Sequence, residues 1–339
     1  MTRSISGPAT AASYRTGAMS RNISCCSPRN WSIMAEPYRD QVRLLLDILP
    51  LVMADPVFAL KGGTAINLFE WDLPRLSVDI DLTYLPNHDR TESLAAIGEA
   101  LARIGVEIER RLPPTRVTQA RQGGEGMEVK LNCQRVRTQV KIEVNPSLRG
   151  HLFPVRDLAC TDQVQEQFEA FVEARCVSHG ELFGGKICAA LDRQHPRDLF
   201  DVRRLLDQEG LVDEVRLGAM ASFVSHGRPI AELVNPARKD QRETFRSQFE
   251  GMPFEPFSYD DHQATLERLV NALRGSFTDD DRAFLLSFEA GDPDWSRFPI
   301  ASLAELPAPQ FKLMNIRKFR EASPERHEAV LNALERSLL

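Results

Sequence analysis

Asp79 and Asp81 lie two residues apart in a stretch, Leu76 to Tyr84, that alternates polar and apolar side chains. With the strand period of two, Ser77, Asp79 and Asp81 share one face while Val78, Ile80 and Leu82 share the other. Two carboxylates so placed stand about 6–7 Å apart along a strand. They can share a divalent cation; without one they repel, and one pKa rises. Such oxygen ligands suit a hard ion bound partly through phosphates, Mg2+ first and Mn2+ as the alternative. A second alternating stretch puts Lys141, Glu143 and Asn145 on one side, which makes Glu143 the candidate third carboxylate. Three carboxylates could hold the two ions of a phosphoryl-transfer centre, one activating an acceptor oxygen and one steadying a triphosphate.

Gly62-Gly63 is the second feature. It falls between a short apolar run, Val57 to Leu60, and a helical pattern that starts at Thr64. A turn without side chains lets phosphate oxygens approach backbone N–H groups, and Thr64 could add a hydroxyl donor. A glycine pair alone marks countless ordinary turns, and paired aspartates alone can be a solvated strand edge. Strand, glycine turn, helix and a Ser-x-Asp-x-Asp strand in that order narrow the reading to a nucleotide site.

A later block supplies cations. In a helix over 180–193, Lys186, Ala190 and Arg193 fall at i, i+4 and i+7, so the two cations share a face. Lys186 could neutralise triphosphate charge, with Arg193 or Arg197 assisting. Asp198 opens the next helix just after Pro196-Arg197, where it could orient Lys186 or Arg197, or act as a base near the acceptor. An exposed ion-pair network between the two helices is the competing reading. Ser77 is either a phosphate donor or a plain polar strand position, and Arg75 either closes over the site or is a loop arginine. The histidines show no metal-ligand spacing; His195 reads as structural or solvated, and Trp71 as packing.

The elements that must position these residues follow from periodicity. A helix runs from Glu36-Pro37 through Val42, Leu45, Leu46 and Leu49, closed by Pro50. A helix fits 90–104, a strand Val106 to Arg111, a turn Gly123, Gly124 and Gly126, and strands Glu128 to Cys133 and Thr138 to Val144. Helices fit 163–173, 180–193 and 198–207, then a less regular helical remainder ending in a helix pair over Lys312 to Leu339. The expected fold class is α/β: a small mixed-sheet core over 34–155, then a mainly helical domain over 156–339 that completes the cleft. Residues 1–33, rich in Ser, Ala, Gly and Arg, are expected to be a disordered extension.

Composition bounds the partners. At 339 residues and a net charge of −6, the chain is no general polyanion binder, so a nucleic acid would have to meet a local basic patch. Three clusters qualify: Lys130, Arg135, Arg137 and Lys141; Arg193, Arg197, Arg203 and Arg204; and Arg238, Lys239, Arg242 and Arg246. Six cysteines, adjacent at Cys25 and Cys26 and scattered at Cys133, Cys160, Cys176 and Cys188, without CxxC pairs, predict free thiols in a reducing compartment. No apolar run reaches the ~20 residues of a membrane span, and no secretory signal opens the chain; the expected location is the cytoplasm.

Four blocks together resemble a known family. KGGTAINLF at 61–69, RLSVDIDL at 75–82, VKIEVN at 140–145 and GELFGGKICAALDRQHPRDLFDVRRLLD at 180–207 resemble the AbiEii-type nucleotidyltransferase toxins of the polymerase-beta-like superfamily. The resemblance covers roughly residues 55–207. It places the family's glycine pair on Gly62 and Gly63, its R-x-S-x-D-x-D block on Arg75, Ser77, Asp79 and Asp81, its lysine on Lys186 and its late aspartate on Asp198, with Asp201 one turn further on. Glu143 departs from the aspartate common in the wider superfamily. The resemblance implies NTP as substrate, a tRNA acceptor end among the targets, and a cognate antitoxin protein. Two alternatives stay open on the residues themselves: nucleotidylation of a protein or small molecule, and a non-catalytic protein-binding module.

Overall fold

The computed structural model describes residues 36–121 and 128–338; the expected extension over 1–33 and the expected turn at Gly123, Gly124 and Gly126 lie outside them. Seven strands form one mixed sheet: β1 (Phe58–Lys61), β2 (Asp79–Tyr84), β3 (Arg116–Arg121), β4 (Glu128–Arg135), β5 (Thr138–Arg149), β6 (Arg156–Ala159) and β7 (Glu173–Cys176). Their spatial order is β3-β4-β5-β2-β1-β7-β6. β2 lies antiparallel to β1 and parallel to β5, while β7 runs parallel to β1.

One face of the sheet is covered because every second residue is apolar. Leu131, Cys133, Val140, Ile142 and Val144 are buried, and they pack beneath α1 (Glu36–Met53) and α3 (Arg90–Arg111). Pro50 does not end α1, contrary to expectation. It falls in the last turn and costs only the hydrogen bond to the Leu46 carbonyl, while the burial of Leu49 and Val52 keeps the turn helical. The strand expected over Val106 to Arg111 is instead the end of α3. Val-Glu-Ile-Glu mimics a period of two, yet Ile97, Leu101, Ile104 and Ile108 continue one buried helical stripe.

After β5 the expected helix over 163–173 shortens to α4 (Asp162–Phe168), stopped by Glu169 at φ 50°, and β7 follows. β6 and β7 were not legible as strands, and through them the sheet itself crosses the division expected near residue 155. Beyond Cys176 the chain is helical, as expected: α5 (His179–Arg193), α6 (Pro196–Gln208), α7 (Asp213–Ser225) and six further helices that end with α12 (Pro307–Ala322) and α13 (Pro324–Leu338). α5 can approach α7 closely because Gly184 and Gly218 carry no side chains; a Cβ at Gly184 would overlap the Gly218 backbone. No described helix is long and apolar enough to cross a membrane. The four described cysteines, Cys133, Cys160, Cys176 and Cys188, are free and buried.

Candidate active site

β1 ends at Lys61 and the chain turns at once into a helical segment, α2 (Gly62–Ala65), which widens into a π-helical turn over Ile66–Glu70. Gly62 has φ +72°, and a Cβ there would collide with the Asp81 carboxylate. A Cβ at Gly63 would lie 2.8 Å from Ser77 Oγ and 3.0 Å from Arg75 Nη2. Both glycines therefore exist to let the turn press against the aspartate strand.

Thr64 clasps the two together. Its hydroxyl lies 2.5 Å from the Asp79 carbonyl oxygen and 3.1 Å from Ser77 Oγ. A hydroxyl has one proton to give, and Thr64 is fully buried, so this side chain pins the strand with the proton it could otherwise give a phosphate. Ser77 is also buried and lies just before β2, which starts at Asp79 rather than at Leu76. A segment of the helical region holds that approach: Leu76 N–H donates to Met252 O at 3.1 Å, Phe254 N–H donates to Pro74 O at 2.9 Å, and Arg75 bridges Pro253.

Asp79 and Asp81 share the open face of the sheet with their register partners. Asp81 stands opposite Lys61 on one side and Glu143 on the other, and Glu143 in turn opposite Lys130. One row across four strands thus reads Lys61, Asp81, Glu143, Lys130. Glu143 is ion-paired with Lys130. The Asp79 and Asp81 carboxylates, by contrast, receive no hydrogen bond or ion pair among the described residues. Burial pushes the Asp81 carboxyl upward, opposed by the Lys61 ammonium and reinforced by Asp79. Burial likewise pushes the Lys61 ammonium down, with Asp81 and Glu181 pulling it back.

The late block lies against this face. Lys186 Nζ donates to Asp198 Oδ1 at 2.8 Å and reaches Asp201 Oδ2 at 3.1 Å. Arg193 Nε donates to Asp198 Oδ2 at 2.6 Å. Burial opposes the charge on Asp198, yet Lys186 and Arg193 hold its carboxyl far below the usual carboxylate range. Asp198 therefore stays ionised and orients Lys186 and Arg193; Arg197, the other expected partner, is not its contact. Arg75 does not close over the site as a free cation. Its guanidinium is 2% exposed and donates from Nε and Nη2 to the two oxygens of Asp201, itself 0% exposed. His195 caps α6, accepting from Arg197 N–H at 3.2 Å. Trp71 is buried against Phe183, their rings 4.9 Å apart.

The fold thus gathers Gly62, Gly63, Ser77, Asp79, Asp81, Glu143, Lys186 and Asp198 at one place. Lys61 was missed, and Asp201 was seen one turn beyond Asp198 but given no role. Lys61 directly precedes the glycine pair, but only the antiparallel pairing of β1 with β2 sets it beside Asp81. Asp201 follows Asp198 at i+3, a helical neighbour whose partner Arg75 is 126 positions away.

A metal ion is testable against this donor set. Among the described residues no group of three or more His, Cys, Asp or Glu is gathered to hold one by itself. Two carboxylates left without other partners, amid cations that are mostly committed, nonetheless fit an ion that takes its remaining ligands from triphosphate oxygens and water.

Comparison with known proteins agrees with this geometry. Residues 43–315 match the family model described as nucleotidyl transferase AbiEii toxin, type IV TA system. Among solved structures the chain is similar to MenT4, a nucleotidyltransferase toxin from Mycobacterium tuberculosis H37Rv, with a TM-score of 0.54 and 16% identity over 82% of this chain and 93% of that one. At that identity the likeness speaks for the fold alone. Curated proteins give no match. The chain belongs to the AbiEii nucleotidyltransferase toxin family, which makes it an NTP-dependent nucleotidyltransferase and the toxin of a type IV toxin–antitoxin system.

Proposed function

We propose that this AbiEii toxin transfers a nucleoside monophosphate from an NTP to the 3′ hydroxyl of an RNA, with the tRNA acceptor end as target, and that it does so with Mg2+ or Mn2+ in the cytoplasm under the control of a cognate antitoxin. The observation that carries the reading is the Asp79–Asp81 pair on one sheet face, whose carboxylates take no hydrogen bond or ion pair among the described residues while the nearby Lys130, Lys186 and Arg193 are committed to other carboxylates. Two half-buried carboxylates on one strand face, in register beside Lys61 and Lys141 but bonded to neither, favour a cation bound between them.

In the reaction the acceptor oxygen forms a bond to the α-phosphorus, the bond from that phosphorus to the β-phosphate oxygen breaks, and pyrophosphate leaves while the hydroxyl gives up its proton. A divalent ion bound by Asp79 and Asp81, with Glu143 as the further candidate ligand, would neutralise triphosphate charge and favour the ionised acceptor. The chain's own residues do the rest. Backbone N–H groups of Gly62 and Gly63 receive phosphate oxygens at a turn with no side chain in the way, with Ser77 behind them. Lys186, aimed by Asp198 and Asp201, meets triphosphate charge; Arg193, 60% exposed beyond its Asp198 contact, is placed to follow the leaving pyrophosphate. Lys61 balances the charge of Asp81 from the β1 side.

The test is incubation of the full chain with each labelled NTP, Mg2+ and total tRNA, followed by intact mass analysis of RNA and protein. An added nucleotide mass on the RNA is expected. Label on a protein or small molecule would replace the acceptor, and no label on anything would sink the transfer reading.

A further inference from the structure

Each of the three basic clusters in the sequence is partly neutralised in the fold. Arg203 is paired with Asp207 and Asp261, Arg204 with Glu255, Arg238 with Glu267, and Arg242 with Asp240. In the hairpin cluster Lys130 is paired with Glu143 and Arg135 with Asp47, which leaves Arg137 and Lys141, and strand register sets Lys141 next to the aspartates. Asp79 stands beside Lys141, which stands opposite Asn132, which stands opposite Thr118. The next row outward is Gln139, Gln134 and Arg116, and Arg137 follows in the β4–β5 turn. The paired residues among these belong to the sheet face that carries Asp79 and Asp81, since residues opposite one another share a face, and Arg137 lies at the end of that hairpin. Lys141, Gln139, Gln134, Thr118 and Arg116 are exposed, whereas the intervening Leu131, Cys133, Val140 and Ile142 are buried on the other side.

Lys141, Arg137 and Arg116 have no ion-pair partner among the described residues. The carboxylate described on the same strip beyond the aspartates, Glu143, is already taken by Lys130. A chain of net charge −6 therefore presents an uncompensated positive strip that leads to its reactive aspartates. Apart from Val136, 78% exposed beside Arg137 in the β4–β5 turn, it contains among the described residues no aromatic or aliphatic anchor of the kind that marks a protein interface. Amide and hydroxyl side chains stand between its cations, which suits ribose hydroxyls and base edges between phosphates.

We infer that the open face of β3, β4 and β5 is the track on which the acceptor RNA strand lies, with Lys141, Arg137 and Arg116 on its phosphates and Asn132, Thr118 and Gln139 on its sugars and bases. The track runs about 13 Å along β5 and about 14 Å across the four strands from β2 to β3, room for a short single-stranded end. Its inner edge delivers the terminal hydroxyl to Asp79. This rests on the nucleotide-transfer reading above.

The test uses the full chain carrying Lys141→Ser, Arg137→Ser and Arg116→Ser together, with single Lys141→Glu as the second variant. Affinity for total tRNA and for a short 3′-hydroxyl RNA oligonucleotide is measured by fluorescence anisotropy over a range of salt, alongside KM for NTP and for RNA. The triple variant should bind RNA at least tenfold more weakly, with a salt slope shallower by about 0.7 per lost phosphate contact, while KM for NTP holds. RNA affinity unchanged in both variants, in a protein that still modifies RNA, would overturn the track and leave the transfer reading standing. Transfer by the wild type only to non-RNA acceptors would overturn it as well. Loss of RNA binding in the variants without transfer by the wild type would uphold the track and count against the transfer reading.

Discussion

Arg75 and Asp201 form a bidentate ion pair sealed from solvent, Nε to Oδ1 at 2.7 Å and Nη2 to Oδ2 at 2.5 Å, that ties the approach to β2 to helix α6. Asp201 also lies 3.1 Å from Lys186 Nζ, so the contact that fixes the aspartate strand also aims the lysine of the late block. Removing one partner strands a buried charge. Asp201→Ala should cost about 3–5 kcal/mol, whereas Arg75→Met with Asp201→Leu should be less damaging than either single change. Urea denaturation of Asp201→Ala, of the two single changes Arg75→Met and Asp201→Leu, and of the double variant checks this; a double variant as unstable as the sum of the singles would contradict it.

Asp81→Asn should lower nucleotide transfer by roughly 100- to 1,000-fold without loss of stability, because burial and Asp79 already disfavour the Asp81 charge in the free protein. Glu143→Gln should cost less, since its carboxylate is shared with Lys130. Single-turnover rates at saturating Mg2+ compare the two. Equal losses would make Glu143 a full partner of the aspartates.

Gly62→Ala should act on Asp81 through space. The left-handed backbone at φ +72° costs a side chain about 1–2 kcal/mol. The added methyl would also displace the Asp81 carboxylate, and such misplacement is worth about 100-fold in rate. A variant with a modestly lowered Tm and a disproportionate loss of transfer is expected. Full activity would mean that the turn relaxes without moving the aspartate.

Lys312 makes a separate pH prediction. Its ammonium donates to Phe223 O at 2.8 Å and Arg228 O at 2.7 Å, and burial lowers its pKa to about 8. The unfolded chain keeps this proton up to the ordinary lysine value, so between the two values the unfolded state binds more protons and stability rises with pH. Between pH 8 and 9.5 the wild type should gain about 2 kcal/mol relative to Lys312→Met. Urea melts of both proteins at the two pH values measure the difference, and parallel pH dependence would refute it.

Much of the candidate site was legible along the chain because its signals are local. The alternation around Asp79 and Asp81, the glycine pair between strand and helix, and the spacing of Lys186 and Arg193 all lie within one element or one turn. Errors arose where a local signal was ambiguous. Val106 to Glu109 alternates like a strand but continues the stripe of α3. Residues 173–176 carry too few side chains to reveal a strand whose stability comes from β1 beside it.

The sequence by itself determined which residues share a face and in what order the chemistry-bearing blocks arrive, because periods of 2 and 3.6 are properties of neighbouring residues. Only the tertiary structure decided which charges meet. Lys61 beside Asp81, Lys130 on Glu143, and Arg75 on Asp201 at a separation of 126 positions depend on strand pairing and on the burial that makes an unmatched charge intolerable. That same pairing set Asp81 beside Lys61 and Asp79 beside Lys141 yet left both carboxylates without a hydrogen bond or ion pair among the described residues, and no short motif encodes such an omission.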